Sequence, residues 1–145
     1  MREPLERRKE HPVNTKTVLV VDDEDHILRV VSFKLRGAGY TVLEANDGEE
    51  AWEMLRSQPA DLVITDQQMP FMTGLELVEA MRTKVETAQI PVLMLTARGF
   101  RLEEKELQRA DVLAMISKPF SPRMLLAQVL AAIGSAGDEL EAKAA

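Results

Sequence analysis

Cysteine is absent from the 145-residue chain, which excludes disulfides, thiolate nucleophiles and thiolate metal ligation. The same absence fits a cytoplasmic protein. No apolar run approaches the roughly 20 residues a helix needs to cross a bilayer, and the N-terminal stretch lacks a hydrophobic signal core. No glycine-rich loop follows the first apolar run, so neither a dinucleotide fingerprint nor a P-loop is present. Basic residues are in deficit: 18 lysines and arginines face 24 acids, a formal net charge of −6. Phosphate backbones demand basic surface, so nucleic acid is not expected as a direct partner. His11 and His26 have no third ligand at metal spacing and read as surface residues.

What remains is ordinary for one globular domain: 46% of residues are hydrophobic and 29% charged, with length enough to bury a core. Residues 1–16 are polar and aperiodic, with Arg7-Arg8-Lys9 diluted by Glu6 and Glu10, and are expected to form a flexible tail. From Thr17 the pattern changes. Thr17–Val21, Tyr40–Ala45, Asp61–Asp66, Ile90–Thr96 and Val112–Ile116 read as strands.

Helices are expected between them. The first starts with Asp25 as its cap and stops at Gly37 or Gly39; the second starts at Asn46-Asp47-Gly48 and buries Ala51, Trp52, Met54 and Leu55. The third runs over Gly74–Arg82 and the fourth over about Arg101–Arg109. Ser121 reads as the cap and Pro122 as the first turn of a last helix that ends near Gly134. The domain is thus read as 17–134, with 135–145 a second flexible tail.

Strands alternating with helices five times over require a mostly parallel sheet with right-handed crossovers. The most apolar strands are the first, third and fourth, so these belong inside. The order 2-1-3-4-5 satisfies that, giving a doubly wound α/β fold with a topological switch between the first and third strands.

That switch brings together the acids ending those two strands, Asp22, Asp23 and Asp66. Two carboxylates about 4 Å apart repel by roughly 4 kcal/mol at an effective dielectric near 20. The cluster needs raised pKa values or a cation, and oxygen ligands in an open crevice suit Mg²⁺. The fourth and fifth strands end in Thr96 and Lys118, a hydroxyl and an ammonium on the same rim. Together they describe a phosphoryl site. Asp66 attacks phosphorus, Mg²⁺ and Lys118 neutralise the equatorial oxygens, and Thr96 donates a hydrogen bond. The loop after Asp66 holds Pro70, which opposes helix, and Gly74, read as a free bend.

VLVVDDE, LVITDQQMP, VLMLTAR and SKPF, in that order, resemble the signature segments of the receiver domains of two-component response regulators. The resemblance implies a flavodoxin-like (βα)5 fold and a stand-alone receiver phosphorylated by a sensor histidine kinase or phosphotransfer protein. It implies Asp66 as phosphoacceptor, Asp23 and Asp66 as direct Mg²⁺ ligands, Asp22 as a water-mediated one and Gln68 as a ligand through its backbone carbonyl. Thr96 and Lys118 are implied as phosphate-binding switch residues, and the Lys118–Pro119 bond as cis. Such a domain catalyses only its own phosphorylation and dephosphorylation.

Three positions depart from the family pattern. Met115 stands where a switching Tyr or Phe is usual, Thr73 where an aspartate precedes Gly74, and Arg109 where a glycine precedes Ala110. With Met115 the conformational change is expected to be shallower or differently routed. The last helix, Met124–Ile133, is apolar nearly all round; one stripe must face the sheet, and the remainder is either a partner or dimer surface or mostly core. A downstream protein is expected to read the last two helices and the fifth strand. The competing reading is a pseudo-receiver, a scaffold making phosphorylation-independent contacts, and Met115 is the feature that leans toward it.

Overall fold

A computed structural model describes residues 15–137. The rest of both expected tails, 1–14 and 138–145, lies outside the described residues. The elements run β1 (Thr17–Val21), α1 (Asp25–Gly37), β2 (Thr41–Ala45), α2 (Gly48–Ser57), β3 (Leu62–Asp66), α3 (Gly74–Arg82), β4 (Val92–Thr96), α4 (Glu104–Ala110), β5 (Ala114–Ser117) and α5 (Pro122–Ile133). All strand pairs are parallel, in the expected order β2-β1-β3-β4-β5.

Side chains alternate across each strand, so continuous apolar runs feed two cores at once. Val18 and Val20 join Ile64, Leu93 and the inner faces of α1 and α5, through Leu28, Val31, Leu35, Leu125 and Val129. Leu19 and Val21 join Val63, Met94 and the inner faces of α2 and α3, through Ala51, Leu55, Leu77 and Val78. Trp52 is half-buried against this second core, as expected of a helix-face residue.

Several boundaries move for identifiable reasons. Asp25 is the first residue of α1 and does not cap it. Glu24 takes the cap position without a side-chain bond, while Asp25 accepts from Asn46 Nδ2 at 3.3 Å. β4 begins only at Val92, since Pro91 has no N–H to give a ladder, although its carbonyl accepts from Val63 N–H at 3.0 Å. α4 is shorter than expected and β5 starts two residues later than Val112. Between them Asp111 turns the chain with a left-handed backbone (φ 53°).

Gly74 is not a free bend. A Cβ built there would run into the Asp66 carbonyl oxygen, so glycine is needed for close approach of α3 to the end of β3. Lys16 and Ala136, assigned to the tails by polarity and position, are docked. Lys16 N–H donates to the Ala136 carbonyl at 3.2 Å, Thr41 N–H to the Lys16 carbonyl at 3.0 Å, and Ala136 is buried. Tyr40 Oη donates to the Gly134 carbonyl at 2.5 Å, closing the seam between the α1–β2 turn and the end of α5.

Candidate functional site

The register pairs Val21 of β1 with Thr65 of β3, so the next residues, Asp22 and Asp66, meet at the carboxyl edge of the sheet. Asp22 and Asp66 are buried and Asp23 is exposed, with oxygens from the three carboxylates within 4.8 Å of one another. Asp22 Oδ1 accepts from the Glu24 N–H at 2.9 Å. Asp22 Oδ2 is buried and has no aligned hydrogen-bond donor among the described residues; its neighbour is the Lys118 ammonium at 3.1 Å. Lys118 Nζ also lies 3.3 Å from Asp66 Oδ1.

Burial raises the Asp66 pKa to about 6, and repulsion from Asp22 and Asp23 adds to it, while Lys118 opposes the rise. Burial also raises the Asp22 pKa, against the Glu24 N–H and Lys118, which lower it. Lys118 is itself held above the ordinary lysine value. Desolvation, the largest influence on it, acts downward, but its two aspartate partners together outweigh it.

Thr96 is buried at the end of β4, one position beyond Leu95, the register partner of Asp66. Its carbonyl accepts from the Lys118 N–H at 2.8 Å, and the Lys118–Pro119 bond is cis. Gln68 is exposed and lines a cavity of about 630 Å³ with Asp66, Lys118, Glu24 and Arg98 and the apolar side chains of Ile27, Val30 and Phe120. All six expected site residues thus lie at one edge of the sheet. His26 is exposed at the cavity's rim, with no metal-type cluster around it among the described residues.

Sequence reading missed Gln67. It is buried, its Oε1 accepts from Leu75 N–H at 2.8 Å, and its own N–H and carbonyl bond Leu95 and Gly74 at 2.8 and 3.0 Å. Gln67 thereby fixes where the loop after Asp66 enters α3. An uncharged polar residue directly after a buried strand was the only available signal.

The arrangement fits a divalent cation. Three carboxylates converge on one spot, and burial, with repulsion from Asp22 and Asp23 behind it, raises the Asp66 pKa even with Lys118 alongside. Oxygen-only ligands with open solvent access match Mg²⁺.

Residues 18–130 match the model of the response regulator receiver domain family. The chain belongs to that family. It is 37% identical, over 124 residues, to the phosphate regulon transcriptional regulatory protein PhoB of Pseudomonas aeruginosa, covering 84% of this chain and 53% of PhoB. This receiver therefore spans about half the length of that relative. Among solved structures, the Vibrio cholerae chemotaxis protein CheY4 is similar at 36% identity and TM-score 0.76, covering 81% of this chain and 98% of CheY4. The receiver domain of the Pseudomonas aeruginosa sensor histidine kinase PA1611 is similar at 25% identity and TM-score 0.74, covering 83% and 99%; that structure has a magnesium ion coordinated in its active-site cleft.

The receiver's departures from the pattern have structural answers. Thr73 caps α3: its hydroxyl accepts from Glu76 N–H at 3.1 Å while the Glu76 carboxylate accepts from Thr73 N–H at 2.9 Å. Arg109 pairs with Glu79 of α3 at 3.1 Å. Met115 lies opposite Met94 in the β4–β5 register and is half-buried against the α2/α3 core.

Proposed function

We propose that the receiver accepts a phosphoryl group on Asp66 from a histidine-bearing partner, in the cytoplasm, and that this changes its affinity for a downstream protein. One observation carries the proposal: the Asp66 carboxylate is buried 3.3 Å from the Lys118 ammonium and inside an acidic cluster that faces an open cavity. A structural carboxylate would be better served by full pairing than by this crowding.

Asp22, Asp23, Asp66 and the Gln68 backbone carbonyl would hold Mg²⁺, which when bound offsets charge on the phosphoryl oxygens. An Asp66 oxygen attacks phosphorus in line with the phosphohistidine nitrogen. The O–P bond forms, the N–P bond breaks, and the imidazole leaves with the electron pair and takes a proton. Lys118 then turns from Asp66 Oδ1 to a phosphoryl oxygen, and the Thr96 hydroxyl donates to another. The catalysis extends to the receiver's own phosphorylation and dephosphorylation and no further.

Moving a two-state domain from 1:99 to 99:1 takes about 5.5 kcal/mol. A charge-assisted hydrogen bond from Thr96 supplies roughly 1.5–3 kcal/mol. Lys118 and downstream packing must add the rest, and Met115 offers neither ring nor hydroxyl for it. The partner surface proposed for the output is the side of α4, β5 and α5, where Leu107, Leu113, Met124 and Leu130 are exposed; a homodimer would use the same side.

Incubation with acetyl phosphate and Mg²⁺, read by intact mass, tests the proposal. The wild type should gain one phosphoryl group and Asp66→Asn none. No gain in the wild type would favour the scaffold.

A further inference from the structure

Acids run in succession from Asp22 to Asp25, and the proposed chemistry uses only Asp22 and Asp23. Asp25 is turned toward Asn46. Glu24 is left unassigned, yet it lines the cavity beside Asp66, Lys118 and Arg98. Its Oε1 lies 3.9 Å from Lys118 Nζ, the ammonium that Asp22 and Asp66 approach at 3.1 and 3.3 Å.

The Glu24 side chain is 53% exposed, against 0% for Asp22 and 5% for Asp66. Its backbone is pinned: the N–H donates to Asp22 Oδ1 at 2.9 Å, and the carbonyl accepts from Ile27 and Leu28 N–H at 3.1 and 3.2 Å. Glu24 is therefore a movable carboxylate on a fixed stem, at the solvent side of the one lysine that must rearrange.

We propose that Glu24 selects phosphodonors by charge, competing with the incoming phosphoryl group for Lys118 and disfavouring donors in proportion to their negative charge. This rests on Asp66 being the phosphoacceptor. An arriving phosphoryl oxygen must draw Lys118 away from Glu24 and pass its carboxylate at close range. Asp22 cannot act this way, because it is buried and held in place. Water and salt reach Glu24, so its repulsion amounts to a several-fold effect on rate that weakens as ionic strength rises.

Glu24→Gln keeps the side chain's length and the backbone contacts and removes the charge. The experiment measures initial phosphorylation rates of wild type and variant by intact mass, at saturating Mg²⁺ and at low and high salt. Acetyl phosphate serves as a dianionic donor and phosphoramidate as a monoanionic one. In both cases an Asp66 oxygen bonds phosphorus as the P–O bond to acetate or the P–N bond to ammonia breaks, the leaving group taking the electron pair.

The variant should react about fivefold faster with acetyl phosphate at low salt, gain less with phosphoramidate, and lose most of both gains at high salt. Mg²⁺ affinity, titrated calorimetrically, should stay within about twofold. Unchanged rates, equal gains for both donors, or gains indifferent to salt overturn the proposal. Parallel falls in rate and Mg²⁺ affinity overturn it too, making Glu24 a support for the cation. No phosphorylation of either protein removes the phosphoacceptor reading, and this inference with it.

Discussion

Lys118 Nζ lies 3.3 Å from Asp66 Oδ1 although β5 and β3 are not adjacent strands; the lysine reaches across the end of β4. Its ammonium offsets two buried carboxylates. Lys118→Met should therefore lower stability by roughly 2–3 kcal/mol at pH 8, because buried charge is left uncompensated. The gap to wild type should narrow toward about pH 5, where Asp66 can protonate instead. Urea unfolding at the two pH values checks this, and an equal gap at both would refute it.

The raised Asp66 pKa has a definite sign in stability. The folded value is about 6, and the unfolded chain titrates near 3.9. Between the two the native protein binds more protons, so stability falls as pH rises through that window. Roughly two pKa units correspond to about 3 kcal/mol. In EDTA, Asp66→Asn should show a flatter pH profile and exceed wild type by about 2–3 kcal/mol at pH 8. Mg²⁺ should stabilise wild type at that pH and leave the variant nearly unmoved.

Gly74→Ala should cost about 2–3 kcal/mol, since the added Cβ meets the Asp66 carbonyl oxygen, which is backbone and cannot swing aside. Thermal unfolding measures the loss. Phosphorylation from acetyl phosphate should slow as well, because relief of the clash moves the end of β3. A variant as stable and as fast as wild type would refute both statements.

Arg82 bridges two chain turns at once. Its Nε donates to the Ala110 carbonyl at 2.8 Å, Nη1 to Ala88 and Ile90 at 3.0 and 2.7 Å, and Nη2 to Asp111 at 3.2 Å. A lysine is a point charge and cannot span these carbonyls. Arg82→Lys should cost about 2 kcal/mol and speed hydrogen exchange at the Asp111 amide, which closes α4 on Leu107. Unchanged exchange there would count against the bridging role.

Ser32 lies buried in α1 with a hydroxyl that has no hydrogen-bond partner among the described residues. Ser32→Ala removes that unmet group and improves helix propensity, and should stabilise the protein by about 1 kcal/mol in thermal unfolding. A destabilised variant would mean the hydroxyl is satisfied after all.

Much of the fold was readable because its causes are local. Runs such as Val18–Val21 and Leu62–Ile64 are short, rich in β-branched residues and apolar at every position, as a strand covered on both faces requires. Thr73, Asp47 and Ser121 mark helix starts through bonds made within three residues. The site was readable for the same reason: its acids, hydroxyl and lysine each close an apolar run, and a parallel sheet gathers such ends at one edge. Errors arose where a distant segment decides. Asp25 reads as the cap of α1 until Asn46, from the β2–α2 turn, donates to its carboxylate.

By itself, then, the sequence determined the strand order, the receiver family and the set of residues at the sheet's carboxyl edge, because these follow from pattern and chain order. Only the tertiary structure decided why position 74 is glycine, how Gln67 and Arg82 pin the turns, and that Lys16 and Ala136 belong to the folded unit. Each of those depends on backbone groups that folded loops and packed segments bring together, over spans from the Asp66–Gly74 loop to the Lys16–Ala136 contact, and such meetings leave no local pattern to read.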